Sequence, residues 1–207
     1  MLDEQYLRQD VPCGLTQCPL CETNPNCKLE LALKGAQADR VMAIDSEDEE
    51  GGVATRKTID KIFIIDHHFA LNQIDLIENC DVLSNVVVPD SILKHLNKMN
   101  IQAFHSMRNV SEQEDRRFYY FYNENFAETD TPESELRGLG LDAKLTAKVY
   151  RVYQFYKKHL QGLTDINKVF LLTSNAASKQ AYQRLVGDDA TAWDGIYDVN
   201  DFVTRHQ

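Results

Sequence analysis

Three cysteines near the start of the chain have the spacing of metal ligands. Cys13, Cys18 and Cys21 stand in the pattern C-x4-C-x2-C, and the five cysteines of the chain are an odd number, which does not suit a disulfide framework. Tetrahedral zinc takes four ligands, so the motif needs one more. Cys27 is the nearest candidate and His159 is a distant one, which would pin the N-terminal segment to a helix. The pattern predicts a structural zinc site in a reducing compartment.

A second group of residues that can do chemistry follows apolar strands. The run KIFIID ends at Asp66, with His67 and His68 next in the chain, and the run KVFLLTSN ends at Asn175. Both runs have the pattern of strands buried on both faces of a parallel sheet. Ligands of such folds bind beyond the carboxyl ends of the strands, so Asp66 and Asn175 are expected at one functional edge.

The elements that must position these residues alternate between apolar strands and amphipathic helices. This alternation predicts an α/β fold, in which a central, mostly parallel sheet is flanked by helices. The expected strands are KIFIID, 86–88, the aromatic run 118–122, KVFLLT and a short strand near the end of the chain. The expected helices are 69–77, a helix opened by Pro89 through SILKHLNKM, the long helix LDAKLTAKVYRVYQFYKKHL, 176–186 and a last helix within GIYDVNDFVTRH. The aromatic run is expected to supply core and edge positions rather than a stacking surface for bases, and 128–140 is expected to be a loop.

Length and composition favour one core with an appendage. At 207 residues with 43% hydrophobic residues, the chain is expected to form one domain over 59–207. Residues 1–35 are interpreted as an irregular cysteine-motif arm packed on that domain, and the acidic, glycine-containing segment 36–58 as a flexible loop.

The charge of the chain limits its partners. A formal net charge of -10 argues against wide, non-specific binding along a phosphate backbone, so any contact with nucleic acid is expected to be local. There is no apolar run of the roughly eighteen residues that a membrane span needs, and the first residues are too polar for a secretory signal. A soluble, intracellular protein without a membrane partner is expected.

Four segments together resemble a known family. QYLRQDVPCGLTQCPLC, FIIDHHFALNQIDLIEN, FYYFYNENFAET and YQFYKKHL resemble, in this order, the N-terminal region of the processive nuclease subunit of the eukaryotic RNA exosome. In that family a three-cysteine motif and a PIN domain precede cold-shock-like and RNase II-like domains, so this chain would be an N-terminal fragment or a short relative. The resemblance implies a PIN fold, a 3'-5' exoribonuclease as parent, exosome core subunits as partners, and a place in the nucleus, the cytoplasm or both. It leaves contact with RNA open, and it ranks His159 above Cys27, because the family's fourth zinc ligand ends the long helix.

The resemblance also implies positions for the PIN active site. PIN nucleases hold two magnesium or manganese ions on four carboxylates. Asp66 matches the first acid, whereas His95 stands at the second and Asn175 at the fourth. Thr146 stands at the third, with Asp142 one turn earlier as a partial substitute. Hard divalent ions are held chiefly by anionic oxygens, so the endonuclease site is interpreted as impaired and the domain as a docking module.

Two alternatives remain open at this point. In one, Asp66, His95 and Asp142 hold a single manganese ion in an active endoribonuclease. In the other, IIDHH belongs to a DHH-type phosphoesterase, which requires an earlier aspartate-rich strand motif and a second domain. His67 and His68 are expected to be a helix-start pair that faces solvent or the former metal cleft rather than to bind an ion.

Overall fold

The computed structural model describes residues 61–80, 82–83, 85–113, 118–121, 123–125, 129–159, 169–187 and 193–206. For Asn125, His159 and His206 the description covers the backbone. The expected arm 1–35, with the three motif cysteines and Cys27, and the expected loop 36–58 lie outside the described residues. The boundaries of these segments therefore stay predictions.

The strands form one sheet in the order β3-β2-β1-β4-β5. All four pairings are parallel, with Phe63 opposite Val86 on one side and Phe170 on the other. The predicted α/β fold with a mostly parallel sheet is confirmed. The strands are β1 (Ile62–Ile65), β2 (Val86–Pro89), β3 (Phe118–Phe121), β4 (Val169–Leu172) and β5 (Ile196–Tyr197).

Helices cover the strands, which are buried along their whole length. Burial on both faces explains why the strands are continuous apolar runs rather than alternating patterns. The helices are α1 (His67–Asn72), α2 (Ile74–Asn79), α3 (Asp90–Met99), α4 (Ile101–Ser111), α5 (Glu133–Leu136), α6 (Leu141–His159), α7 (Ala176–Val186) and α8 (Val199–His206). A 3₁₀ turn, Asn123–Asn125, follows β3.

The helices of the structure differ from the expected ones in three places. The single helix expected over 69–77 is divided into α1 and α2, because Gln73 leaves helical geometry with φ -122° and ψ 39°. Helix α4 was not among the expected helices. Its start depends on Asn100, a residue in extended geometry whose side chain accepts a hydrogen bond from the amide of Ala103. The expected loop 128–140 contains the short helix α5.

The aromatic residues of β3 lie in the core, as predicted. Phe118, Tyr119, Tyr120 and Phe121 are each at most 5% exposed. Phe121 stacks on Phe155 of α6, with ring centroids 5.6 Å apart. These residues therefore fasten the long helix to the sheet and are not available to stack on bases. Within the described residues no helix is long and apolar enough to cross a membrane.

The strand order fixes where a cleft can form. Successive connections carry the chain from β1 outward through β2 to β3, and β4 then pairs on the opposite side of β1. The carboxyl ends of β1 and β4 therefore flank the point at which the strand order reverses, where open α/β sheets place their ligands. Asp66 follows β1 and Asn175 follows β4, so both residues stand at this edge.

Candidate functional site

Asp66 lies at the centre of the edge and is completely buried. One carboxylate oxygen, Oδ1, accepts a hydrogen bond of 2.7 Å from the backbone amide of Phe69, so Asp66 is the N-cap of α1. The other oxygen, Oδ2, accepts from the hydroxyl of Tyr182 on α7 at 3.2 Å. Both oxygens of this carboxylate thus take part in holding the fold together.

The surroundings of this pair shift both pKa values. Burial raises the pKa of Asp66, and the nearby His67 acts in the opposite direction. Burial and the adjacent Asp66 raise the pKa of Tyr182 well above its ordinary value. The phenol therefore stays protonated and acts as the donor to the carboxyl group.

A second group is formed by His67, His68 and Asp142. Nε2 of His67 lies 2.7 Å from Oδ1 of Asp142, and Nε2 of His68 lies 2.8 Å from the same oxygen. The two imidazole rings are 4.1 Å apart between centroids. This His67–His68–Asp142 cluster joins the first turn of α1 to the first turn of α6.

The members of the cluster differ in their exposure to solvent. His67 is 2% exposed, and its Nδ1 has no hydrogen-bond partner among the residues that the structure describes. The side chain of His68 is 30% exposed and that of Asp142 is 62% exposed. Hydrogen bonding therefore orients the buried imidazole of His67 only through Nε2, the atom that points at Asp142.

The histidines keep Asp142 ionised. Burial by itself would raise the pKa of Asp142, but the hydrogen bond from His67 and the charges of His68 and His67 hold that pKa below its ordinary value. The cluster therefore contains a carboxylate, the form of aspartate that accepts hydrogen bonds and binds cations.

His95 extends the row of imidazoles. It lies on α3, half-buried, with its ring centroid 5.9 Å from that of His67 and the two rings nearly perpendicular. Burial lowers the pKa of His95, and the neighbouring His67 lowers it further. His95 is consequently neutral at pH 7.

Thr146 and Asn175 are used as structural residues. The buried hydroxyl of Thr146 donates a 2.9 Å hydrogen bond to the backbone carbonyl of Asp142. Asn175 is the N-cap of α7, since its Oδ1 accepts from the amide of Ser178 at 3.0 Å. Its Nδ2 donates to the hydroxyl of Ser174 at 3.0 Å. Neither position contributes a negative charge to the cleft.

The site residues predicted from the sequence lie at one edge of the sheet, but the residues that could share a metal ion differ from the predicted set. Among the residues that the structure describes, the group of three able to hold a metal ion is His67, His68 and Asp142, whose ligand atoms all lie within 4.8 Å of one another. Asp66 and His95, expected to join Asp142 in the single-ion alternative, are not members of this group. His67 and His68 begin α1, as expected for a helix-start pair. Of the two settings expected for the pair, solvent or the former metal cleft, solvent does not apply to His67, which is buried.

A sequence signal for this cluster existed. The pair HH directly after a strand-ending aspartate, and an acid in the first turn of the longest helix, are both visible in the chain. The contact between the start of α1 and the start of α6 could not be predicted, because His67 and Asp142 are 75 positions apart in the chain. For the cysteine motif the structure offers no comparison, since Cys13, Cys18 and Cys21 and the side chain of His159 lie outside its description.

Comparisons with known proteins find similarity to exosome nucleases. No protein-family model matches the chain. The chain is 22% identical over 179 residues to the human exosome complex exonuclease RRP44. The aligned region covers 86% of this chain and 17% of the relative. It is 25% identical over 177 residues to the exosome complex exonuclease RRP44 homolog A of Arabidopsis thaliana, covering 86% of this chain and 15% of the relative. The chain thus spans about a sixth of the length of these curated relatives.

The fold has a solved counterpart. The structure titled T. brucei RRP44 PIN domain superposes with a TM-score of 0.54 at 13% identity, covering 71% of this chain and 82% of that chain. The chain therefore has the PIN fold that the resemblance implied. This fold gives no support to the interpretation of IIDHH as a DHH-type phosphoesterase.

Proposed function

We propose that this chain is the PIN module of an exosome-associated ribonuclease, and that it docks the nuclease on the RNA exosome core without cutting RNA by the two-ion mechanism. The parent enzyme would be a 3'-5' exoribonuclease, in keeping with its similarity to exosome exonucleases. The observation that carries the proposal is the state of Asp66, whose two carboxylate oxygens both accept hydrogen bonds inside the fold.

The charge of the cleft supports the loss of two-ion chemistry. Two magnesium or manganese ions need several anionic oxygens, because these hard ions bind carboxylates far better than neutral donors. His95, Thr146 and Asn175 replace three acids with uncharged groups. Asp66 alone keeps its position, and Asp142 adds at most one further charge, so the cleft has at most two of the four negative charges that hold two ions in PIN nucleases.

The hydrogen bonds of the altered positions support permanent loss rather than rearrangement. Thr146 is bonded to the backbone of its own helix, and Asn175 caps α7. Both of these hydrogen bonds are made by uncharged side chains, so neither needs an acid at its position.

If the domain does not cut RNA, docking on the exosome is the function that we propose for it. The relatives of this chain are named as exosome complex exonucleases. The net charge of -10 opposes broad binding to RNA, so a protein partner fits the surface better. We place this function in the nucleus, the cytoplasm or both.

Zinc is proposed as a structural component of the docking module. Cys13, Cys18 and Cys21 would supply three ligands and His159 the fourth, with Cys27 as the alternative. The backbone of His159 ends α6, so a zinc bond at this residue would attach the cysteine arm to the end of the long helix. Sulfur-coordinated zinc near one per chain that is lost in Cys18→Ser would support this assignment, and absence of sulfur-coordinated zinc from the wild type would refute it.

A cleavage assay tests the catalytic half of the proposal. The chain is incubated with manganese and a circular RNA, on which contaminating exonucleases cannot act. Asp66→Asn and the triple variant His95→Glu/Thr146→Asp/Asn175→Asp, which restores three acids, are assayed beside it. No cleavage by the wild type is expected. Wild-type cleavage that Asp66→Asn abolishes would overturn the proposal.

A binding assay tests the docking half. The chain is mixed with reconstituted exosome core from the same organism, and co-sedimentation is measured with and without a zinc chelator. Co-migration that weakens in Cys18→Ser is expected. Absence of co-migration for the zinc-loaded wild type would refute docking, whatever the cleavage assay finds.

A single-ion endoribonuclease, with Asp66, His95 and Asp142 as the manganese ligands, is the second candidate. Its support is that the ring of His95 lies 5.9 Å from the ring of His67, which contacts Asp142. It predicts manganese-dependent cleavage by the wild type that His95→Ala removes, with a matching loss of manganese in a titration.

A further inference from the structure

We propose that His67, His68 and Asp142 bind one divalent ion of the zinc class, with a coordination position left open on the exposed side of the cluster. The site goes beyond docking on the exosome and does not depend on it. Its ligands are not the four acid positions of PIN nucleases, and nitrogen donors replace most of the oxygens.

The distances carry the first step. The three ligand atoms already lie within 4.8 Å of one another, and both imidazole nitrogens contact the same carboxylate oxygen at 2.7 and 2.8 Å. Zinc bonds of about 2.0 to 2.2 Å place tetrahedral ligands about 3.4 Å apart. Each nitrogen would need to retreat from Asp142 by only about 0.6 Å, a movement within reach of side-chain rotation.

Burial carries the second step. His67 is 2% exposed, and within the described part of the chain its Nδ1 has no hydrogen-bond partner. An imidazole is polar, and placing it in the interior is costly unless its nitrogens are engaged. The contact of Nε2 with Asp142 is the polar interaction that the structure gives this ring, so the buried side chain is directed at the cluster.

The donor set selects the ion. Two imidazole nitrogens and one carboxylate suit zinc and its neighbours among the transition metals, whereas magnesium prefers an all-oxygen shell. Zinc sites with three protein ligands, including two-histidine, one-carboxylate sites, keep a fourth position for water or a ligand oxygen. Because His68 is 30% and Asp142 is 62% exposed, that fourth position would lie on the solvent side.

The test must distinguish this site from a cysteine site in the same chain. Cobalt(II) does so, because thiolate ligands give intense near-ultraviolet charge-transfer absorption and nitrogen and oxygen ligands give only visible bands. The full chain is titrated with cobalt(II), and X-ray absorption at the cobalt edge counts sulfur against nitrogen and oxygen neighbours.

Variants with exposed side chains locate the site without disturbing the core. His68→Ala and Asp142→Asn remove two ligands, and His105→Ala and Asp75→Asn remove an exposed histidine and an exposed aspartate outside the cluster. Circular dichroism and the melting temperature check that each variant is folded.

The expected result is one equivalent of cobalt with nitrogen and oxygen neighbours in the wild type. Its affinity should fall at least about 10-fold in His68→Ala and Asp142→Asn and stay unchanged in the two controls. Absence of a nitrogen and oxygen site in the wild type, or equal affinity in the folded cluster variants, would overturn the proposal. Binding to the exosome core is expected to be unchanged in these variants.

Discussion

The hydroxyl of Tyr182 donates a hydrogen bond of 3.2 Å to Oδ2 of Asp66, and both side chains are completely buried although 116 positions separate them. The bond joins α7 to the carboxyl end of β1. The carboxylate at the functional edge of the sheet therefore also joins distant parts of the core.

Removing the hydroxyl tests this tie. Tyr182→Phe should lower the free energy of unfolding by about 1 to 3 kcal/mol, because the buried oxygen of Asp66 loses its donor. Urea denaturation measures the change.

The matched control is a double-mutant cycle with Asp66→Ala. If the two residues stabilise the fold through each other, the double variant should lose less stability than the sum of the single losses, by at least about 0.5 kcal/mol. Additive losses would show that the hydrogen bond has no net value.

Asn175 is expected to stabilise the fold through its side-chain oxygen, which caps α7, so that an aspartate could replace it. Asn175→Ala should lower the free energy of unfolding by about 1 kcal/mol, because the amide of Ser178 loses its acceptor at the start of α7. Asn175→Asp retains an acceptor oxygen and should stay within about 0.5 kcal/mol of the wild type. Chemical denaturation of the three proteins decides the matter, and equal losses in both variants would contradict the capping role.

An ion-pair network holds the 3₁₀ turn after β3 against two helices. Glu124 contacts Lys94 of α3 and Lys148 of α6, and Lys94 also contacts the buried Asp90. Glu124→Gln should lower the free energy of unfolding by about 1 to 2 kcal/mol at pH 7, a value that allows for partial exposure. The exposed pair of Glu133 with Lys144 serves as control, and Glu133→Gln should cost less than about 0.5 kcal/mol.

The same network predicts a dependence on pH. Burial alone would raise the pKa of Glu124, but the hydrogen bonds from Lys148 and Lys94 hold it below its ordinary value of 4.5. A lowered pKa in the folded state stabilises the protein above the ordinary pKa, and this stabilisation is lost as the pH falls through the folded value. The stability difference between wild type and Glu124→Gln should therefore shrink below pH 4.5. A difference that is constant down to lower pH would contradict this origin.

Gly195 has no room for a side chain. A Cβ at this position would lie 2.1 Å from the hydroxyl of Tyr153 and 2.9 Å from the carbonyl oxygen of Val169. Gly195→Ala should lower the free energy of unfolding by about 1 to 3 kcal/mol, and adding Tyr153→Phe should recover part of the loss. Gly140→Ala is the control, because no atom of the described residues lies within 4 Å of the added Cβ, and it should have little effect. Thermal denaturation of these variants measures the losses.

Local patterns were sufficient to predict the sheet and the long helix. Residues of β1 and β4 form unbroken apolar runs, and α6 repeats apolar residues at helical spacing. The break at Gln73 and the new helix start at Asn100 depend on single residues that leave helical geometry, which periodicity does not reveal.

The cleft was predictable only in part. Strand ends indicated that Asp66 and Asn175 would share an edge, because carboxyl ends of parallel strands meet there. The meeting of His67 with Asp142 depends on how α1 and α6 pack across the fold, and the hydrogen bond of Asp66 to Tyr182 depends on the packing of α7. Such long-range contacts leave no trace in the local spacing of residues.

The bond between Asp66 and the amide of Phe69 also bears on how such sequences evolve. Selection for folding alone favours an aspartate at the start of α1, because this side chain caps the helix in a buried setting. Folding alone can therefore retain such an acid, whether or not the chain cuts RNA. An aspartate at this position is weak evidence of cleavage by itself, and an acid at a position inside a helix, such as that of His95, would be stronger evidence because it would cap no helix.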